Sequence, residues 1–220
     1  MKLFKNGDLP PQCHMWFIYG DGGTGKTTLF KDVPGEKKLL ISFDLSTDVL
    51  RGAKGIDIAI IEQGDMPSIQ QTVERCLNWA VNEYDAVCLD NMSALQNMAL
   101  ENIDGASKDG RQNYQKLQIW FRTMGTMLRQ SNVNVYATAH QIDKGPEFMN
   151  GRYEADMNAK TFNAFTSMFD VVGRIYVKEG KRLIDLDPEQ GSHAKNRLDD
   201  RKLINAKELF DLANQVKKEK

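Results

Sequence analysis

The chain has 220 residues, of which 27% are charged and 41% hydrophobic, and its formal net charge is −1. That length suffices for one α/β domain with a substantial core, and the near-zero balance excludes a global electrostatic attraction to nucleic acid or membrane, so any polyanion site has to be a local patch. Cys13, Cys76 and Cys88 are widely spaced with no C-x-x-C pair, which points to reduced thiols and away from a disulfide framework or a zinc site. No apolar run approaches membrane-spanning length and the first residues lack a signal-peptide core, so the expectation is a single domain over residues 1–220, cytoplasmic and without membrane contact.

Residues 1–14 read as a short lead-in that Pro10 and Pro11 keep irregular. Residues 15–19 are an apolar run of strand length. They feed residues 20–28, GDGGTGKTT, which fit G-x-x-x-x-G-K-[ST] with Gly20, Gly25, Lys26 and Thr27 at the fixed positions. The residues that follow can open a helix, which completes the strand–loop–helix setting the motif requires. Gly20, Gly22, Gly23 and Gly25 let backbone N–H groups across the stretch, Asp21, Thr24 and Thr28 included, converge on phosphate, and the helix N-terminus adds a favourable dipole. Lys26 can reach the β- and γ-phosphates, and Thr27 can place its hydroxyl on Mg²⁺. The implied ligands are ATP and Mg²⁺.

Pro34-Gly35 stops the helix after this loop. Residues 38–44 read as a buried strand that carries Asp44 to the C-terminal edge, where open α/β sheets bind ligands. A further strand is expected over 56–62. From Ile69, the apolar residues Ile69, Val73, Cys76, Leu77 and Ala80 recur at helical spacing, and their face is core packing. Residues 84–90, YDAVCLD, run small and apolar positions into an acid. This Walker B pattern brings Asp90 beside the phosphate loop as a holder of the Mg²⁺ shell, directly or through water.

Residues 101–113 are polar and read as a loop. A helix over about 114–130 buries Leu117, Trp120, Phe121, Met124 and Leu128. Residues 133–139 read as a strand that ends at His140-Gln141. Residues 142–160 read as a long mobile loop carrying Lys144, Phe148, Arg152, Tyr153 and Lys160. Residues 169–178 and 182–187 form a hairpin, followed by a polar stretch with Ala194, Lys195, Asn196 and Arg197. A terminal helix from about Asn205 places Leu209, Phe210, Leu212 and Val216 on its apolar side and ends in the charge run 217–220. Strands alternating with helices imply an α/β fold with a mostly parallel sheet, helices on both faces and a closing antiparallel hairpin.

Taken in order, GDGGTGKT, the acid after the second strand, VCLDNMSAL, VYATAHQ and AKNR resemble the RecA-like P-loop ATPase core. More closely they resemble the small phage and bacterial RecA-like AAA proteins, including the phage single-strand-annealing type. Asn91 stands where that group usually has Ser. The resemblance implies a γ-phosphate sensor at His140 or Gln141. It also implies that Lys195 and Arg197 act in trans as arginine-finger-type groups on a neighbouring subunit's nucleotide, so that the active form is a homo-oligomer. RecA-like enzymes usually carry a catalytic Glu just past the second strand. Residues 44–48, DLSTD, contain none, so Asp44 or Asp48 substitutes, with Asp44 preferred, and the shorter reach implies slow or partner-stimulated hydrolysis. Loops 101–113 and 142–160 occupy the places of the RecA-like DNA-binding loops, and cations beside Phe148 and Tyr153 suit single-stranded DNA. The implied function is a phage-type ATPase acting on single-stranded DNA in recombination or annealing, in the host cytoplasm. The rival is a nucleotide-gated helicase loader or protein-remodelling ATPase without DNA contact. A small-molecule kinase is disfavoured, because no compact Arg-rich lid is visible.

Overall fold

A computed structural model describes residues 3–9, 11–103, 105–148, 151–188 and 192–212. The first strand, β1 (Met15–Tyr19), is buried at every position. An unbroken apolar run of this kind suits only a strand covered on both faces. Alternation along β1 sends Met15, Phe17 and Tyr19 into one apolar core and Trp16 and Ile18 into a second. In chain order there follow α1 (Lys26–Leu29), β2 (Lys38–Ser42), β3 (Ile56–Ile60), α2 (Ile69–Glu83), β4 (Ala86–Asp90), α3 (Met92–Glu101), α4 (Gly110–Gln130) and β5 (Asn134–Ala139). The remaining elements are β6 (Gln141–Asp143), β7 (Tyr153–Ala155), α5 (Ala159–Thr166), β8 (Val171–Lys178), β9 (Lys181–Asp185), β10 (Lys195–Asn196) and β11 (Leu203–Asn205).

Among the described residues the main sheet has nine strands in the order β11-β9-β8-β1-β5-β4-β2-β3, with β10 beside β8. The run from β3 to β8 is parallel throughout, and β9, β10 and β11 add the antiparallel pairings. With β5 inserted between β1 and β4, this is the RecA-like P-loop sheet, as the motif order implied. β3 closes one edge and is correspondingly half exposed, with Ile58 and Ile60 facing outward.

The two faces of the sheet are covered unequally. The apolar sides of α2, α3, α4 and α5 all join the core that holds Phe17. The opposite core, around Trp16, Ile18 and Tyr136, is covered by α1, the 3-10 turn after it and a 3-10 turn over Ala206–Asp211. Leu209, Phe210 and Leu212 are buried as the periodicity predicted, but over the described residues the terminal segment is this short turn, capped reciprocally by Asn205 and Glu208. Val216 and the charge run 217–220 lie outside the described residues, as does Pro10.

Three further segments differ from their sequence reading. Helix α4 begins at Gly110, because Asp109 caps it by accepting the Arg111 N–H at 3.0 Å, so the loop expected over 101–113 is shorter. Ahead of that loop stands α3, capped by Asn91 and buried through Met92, Leu95 and Ala99. The segment expected as a loop over 142–160 instead holds the antiparallel pair β6–β7 and the start of α5. Here Asp143 pairs with Arg152 at 2.7 Å and Lys144 with Glu154 at 2.6 Å, so the charges that made the stretch look solvated fasten its two strands together.

At the N-terminal end of the sheet, Asp170 joins three elements. Its carboxylate accepts the Met15 N–H at 2.9 Å and both Arg129 guanidinium nitrogens, and His14 Nδ1 lies 3.7 Å away. Burial pushes its pKa up, but the hydrogen bonds from His14, Arg129 and Met15 outweigh that and leave it at about 2.

Phe17 meets Phe162, Phe165 and Phe169 edge-on at 5.2, 6.3 and 5.9 Å between ring centroids. Phe17→Ala is therefore expected to cost about 3–5 kcal/mol, read as a lowered urea midpoint at unchanged m-value. The depressed Asp170 carboxyl contributes stability that is fully present above its unfolded pKa of about 4 and lost as pH falls through about 2. Asp170→Asn is thus expected to remove about 2 kcal/mol at pH 7, with the gap to wild type closing near pH 2 in urea titrations.

Candidate nucleotide site

The phosphate loop leaves the C-terminal end of β1 and closes against β8. A Cβ at Gly20 would lie 2.3 Å from the Ile175 carbonyl oxygen, so the approach of the neighbouring backbone, as much as any ligand, requires glycine there. Gly25 has φ +98°, and a Cβ on it would meet Arg182 Nε at 3.1 Å. The Arg182 Nε–H in turn donates to the Thr24 carbonyl at 3.1 Å, bracing the loop from β9. Gly22 and Gly23 face open space, where a Cβ would meet nothing within 4 Å.

Lys26 is buried and its ammonium donates to the carbonyls of Gly20 and Asp21, each at 2.8 Å. Burial lowers its pKa, against the opposing pull of Asp90, Asp21 and Asp44. The Thr27 hydroxyl donates to Asp90 Oδ2 at 2.7 Å, and the Thr138 hydroxyl donates to Asp90 Oδ1. Asp90 is 2% exposed, and burial raises its pKa despite those two hydroxyls. Among the described residues no cluster of three or more His, Cys, Asp or Glu side chains could cage a metal ion. One carboxylate and one hydroxyl beside a phosphate loop is nevertheless the hard oxygen donor set that Mg²⁺ uses when substrate phosphates and water supply the rest. A raised carboxyl also has free energy to gain from an adjacent cation. The residues present therefore fit Mg²⁺.

Around this pair the structure gathers the other residues expected at the sheet edge. Asp44 accepts the Ser46 N–H at 3.0 Å and a hydrogen from the Asn91 side chain. Asp48 instead pairs with Arg51 at 2.6 Å on the surface. His140 lies at the end of β5, with its N–H donating to Ser93 Oγ at 3.1 Å and its Nε2 3.1 Å from Asn91 Nδ2. Gln141 donates to Asp21 Oδ2 at 2.9 Å and accepts from Arg174 Nε at 2.9 Å. The Arg174 guanidinium lies 3.3 Å over the Tyr153 ring, so the loop is joined to β7 through Gln141, Arg174 and Tyr153.

Lys195 and Arg197 do not meet this group within one chain. Lys195 pairs with Val172, at the level of Phe17, whereas the phosphate loop begins after Tyr19. The Lys195 ammonium donates to the Thr166 carbonyl at 2.8 Å, and burial together with Arg197 lowers its pKa to about 8. The Arg197 N–H donates to the Asp170 carbonyl at 3.0 Å.

Sequence reasoning missed Thr138, Arg174, Arg182 and the bridging role of Asn91. Thr138 sits inside VYATAHQ and Asn91 directly follows Asp90, so both lay within recognised motifs. Arg174 and Arg182 carry no local signal, because only the pairing of β8 with β1 and β9 brings them to the loop.

Beside the loop opens a cavity of about 590 Å³ bounded by Gly25, Thr28, Asp32, Arg182, Asn205 and Glu208. Its volume lies within the range of small-molecule sites. Among the described residues no helix is long and apolar enough to cross a membrane.

The KaiC-like protein PH0186 from the archaeon Pyrococcus horikoshii OT3 has a similar structure, with 14% identity, a TM-score of 0.48, and 80% of this chain and 78% of that one covered. The flagellar accessory protein FlaH from Methanocaldococcus jannaschii is similar at 14% identity and a TM-score of 0.49, with 88% and 84% covered. No curated protein matches the chain in sequence. The AAA domain family matches residues 14–198, a span that runs from the start of β1 past Lys195 and Arg197 and takes in the phosphate loop, Asp90 and the strand leading to His140. The chain belongs to the AAA domain family.

Proposed function

We propose that the chain is a Mg²⁺-dependent RecA-like ATPase of phage type that acts on single-stranded DNA in recombination or annealing. The observation that carries the catalytic part is the hydrogen bond from the Thr27 hydroxyl to the buried Asp90 at 2.7 Å, beside the Lys26 ammonium. Residues 20–28 hold the phosphates, Thr27 and Asp90 hold Mg²⁺, and the adjoining cavity takes the nucleoside. Bound there, Mg²⁺ supplies charge neutralisation on the β- and γ-phosphate oxygens. Asp44 orients the attacking water and takes its proton as the γ-phosphoryl group moves to that water and ADP departs with the bridging oxygen. Asp44 is favoured over Asp48 because Asp48 is already paired with Arg51. Lys195 and Arg197 complete a neighbour's site in a homo-oligomer, which is consistent with their being set back from the phosphate loop of their own chain.

Coupling to DNA runs from Asp21 through Gln141 and Arg174 to Tyr153 of the β6–β7 pair. This pair and the shortened loop after α3 are the DNA-contacting elements in the proposal. Phe148 and Ile142 are 49% and 41% exposed there, and exposed apolar and aromatic groups can stack on unpaired bases. The pairing of Lys144 with Glu154 and of Arg152 with Asp143 favours a second reading, a nucleotide-gated loader or remodelling ATPase that grips a protein, since those cations are already neutralised.

Lys26→Ala is expected to weaken ATP binding by about ten- to a hundredfold and to abolish turnover, measured by titration with a fluorescent ATP analogue and by phosphate release. Unchanged affinity and turnover would defeat the catalytic proposal. A labelled single-stranded oligonucleotide is expected to bind in the presence of ATP with an affinity that falls steeply as salt rises. No binding at low salt, with or without ATP, selects the second reading.

A further inference from the structure

The Asn91 side chain makes three contacts, and their chemistry fixes its orientation. Its Oδ1 accepts the Ala94 N–H at 2.9 Å and so caps α3. Nδ2 must therefore face the other two partners, Asp44 Oδ2 and His140 Nε2. An amide nitrogen accepts no hydrogen bond, and a carboxylate oxygen only accepts one. One amide hydrogen thus goes to Asp44 and the other, over 3.1 Å, to His140 Nε2, which places the ring proton of His140 on Nδ1. Asn91 is 1% exposed, and both hydrogens of its side-chain amide are committed. The other Asp44 oxygen accepts the Ser46 N–H, so both oxygens of that carboxylate have a fixed donor.

We propose that Asn91 is a positioning residue that holds the Asp44 carboxylate and the His140 imidazole on one amide group, setting the shorter acid in place for water activation. The proposal rests on the ATPase reading above. Its physical content is orientation. Aspartate is one methylene shorter than glutamate, and a catalytic group misplaced by about 1 Å loses on the order of a hundredfold in rate. A donor anchored to the first turn of α3 limits where the Asp44 carboxylate can point. The same amide makes the two groups sensitive to one another, because a shift of either alters the donor that the other receives.

Asn91→Ala removes the cap and both donors, whereas Asn91→Ser keeps a good capping oxygen and replaces the two amide hydrogens by a single hydroxyl hydrogen on a shorter side chain, which cannot serve Asp44 and His140 together. In Asn91→Ser the urea midpoint is expected to stay near wild type, while kcat for Mg·ATP hydrolysis falls about a hundredfold with KM for ATP unchanged. In Asn91→Ala the midpoint falls as well. A second readout needs no nucleotide. The chain contains three histidines, so the ring ¹⁵N and ¹³C shifts of His140 can be assigned at pH 8. The ring is expected to be Nδ1-protonated in wild type and to shift toward the Nε2-protonated form in Asn91→Ser. Wild-type kcat in Asn91→Ser, or an unchanged His140 tautomer, would overturn the positioning role alone. A wild-type protein that turns over no Mg·ATP would overturn the ATPase reading, and the positioning role with it.

Discussion

Asp90 is a carboxylate removed almost entirely from water with two hydroxyls as its hydrogen-bond donors. Such a group is costly unless its surroundings are fixed. Much of the site follows from that constraint. Thr27 is drawn to Asp90 from the phosphate loop and Thr138 from β5, so the carboxylate ties three elements at the C-terminal edge of the sheet. Lys26 is buried in the same place, and the Coulombic pull of Asp90 partly offsets its desolvation. The next residue, Asn91, turns the chain into α3 and reaches Asp44 and His140. The end of β4 thus organises the acid after β2, the residue after β5 and the loop after β1 around a single point.

The unequal covering of the sheet sets a stiff layer on one side of that point and an open one on the other. The long helices α2 to α5 all lie on the Phe17 side, where interlocked aromatic rings make a stiff layer. The other side carries short elements, α1 and the Ala206–Asp211 turn, and it is there that the cavity beside the phosphate loop opens. At the far end of the strands, Asp170 clamps β1, α4 and the start of β8 together. The β6–β7 pair leaves that edge directly after His140 and is held to β1 by the Tyr19 hydroxyl, which donates to the Tyr153 carbonyl at 3.1 Å.

The reading of residues 142–160 as a loop shows what sequence alone could not resolve. β6 and β7 are short, polar and separated by glycine and proline, so neither carries the period-two apolar pattern that marks a half-buried strand. Their backbone register is accompanied by cross-strand ion pairs, Asp143 with Arg152 and Lys144 with Glu154, and charges nine or ten residues apart give no periodic signal. Helix α3 escaped notice for a related reason. Its buried residues Met92, Leu95 and Ala99 are spaced correctly, but they overlap the motif around Asp90, and its cap is the residue that bridges the site. The terminal segment shows the opposite error, since Leu209, Phe210 and Leu212 fit a helical face yet the described residues form a 3-10 turn packed on Trp16.

The sequence by itself determined the strand–loop–helix unit, the acid at the end of β4 and the parallel α/β plan, because each depends on local rules: glycines where backbone must approach phosphate or a neighbouring strand, unbroken apolar runs for doubly covered strands, and helical spacing for packed faces. Only the tertiary structure decided which of two aspartates faces the site, since Asp48 is taken by Arg51 and Asp44 is held by Asn91. It also decided that Arg174 and Arg182 belong to the phosphate loop and that Lys195 and Arg197 stand back from it. The physical reason is register. A residue's place at the C-terminal edge or behind it is set by strand pairings between segments more than a hundred residues apart, and no local pattern encodes that distance.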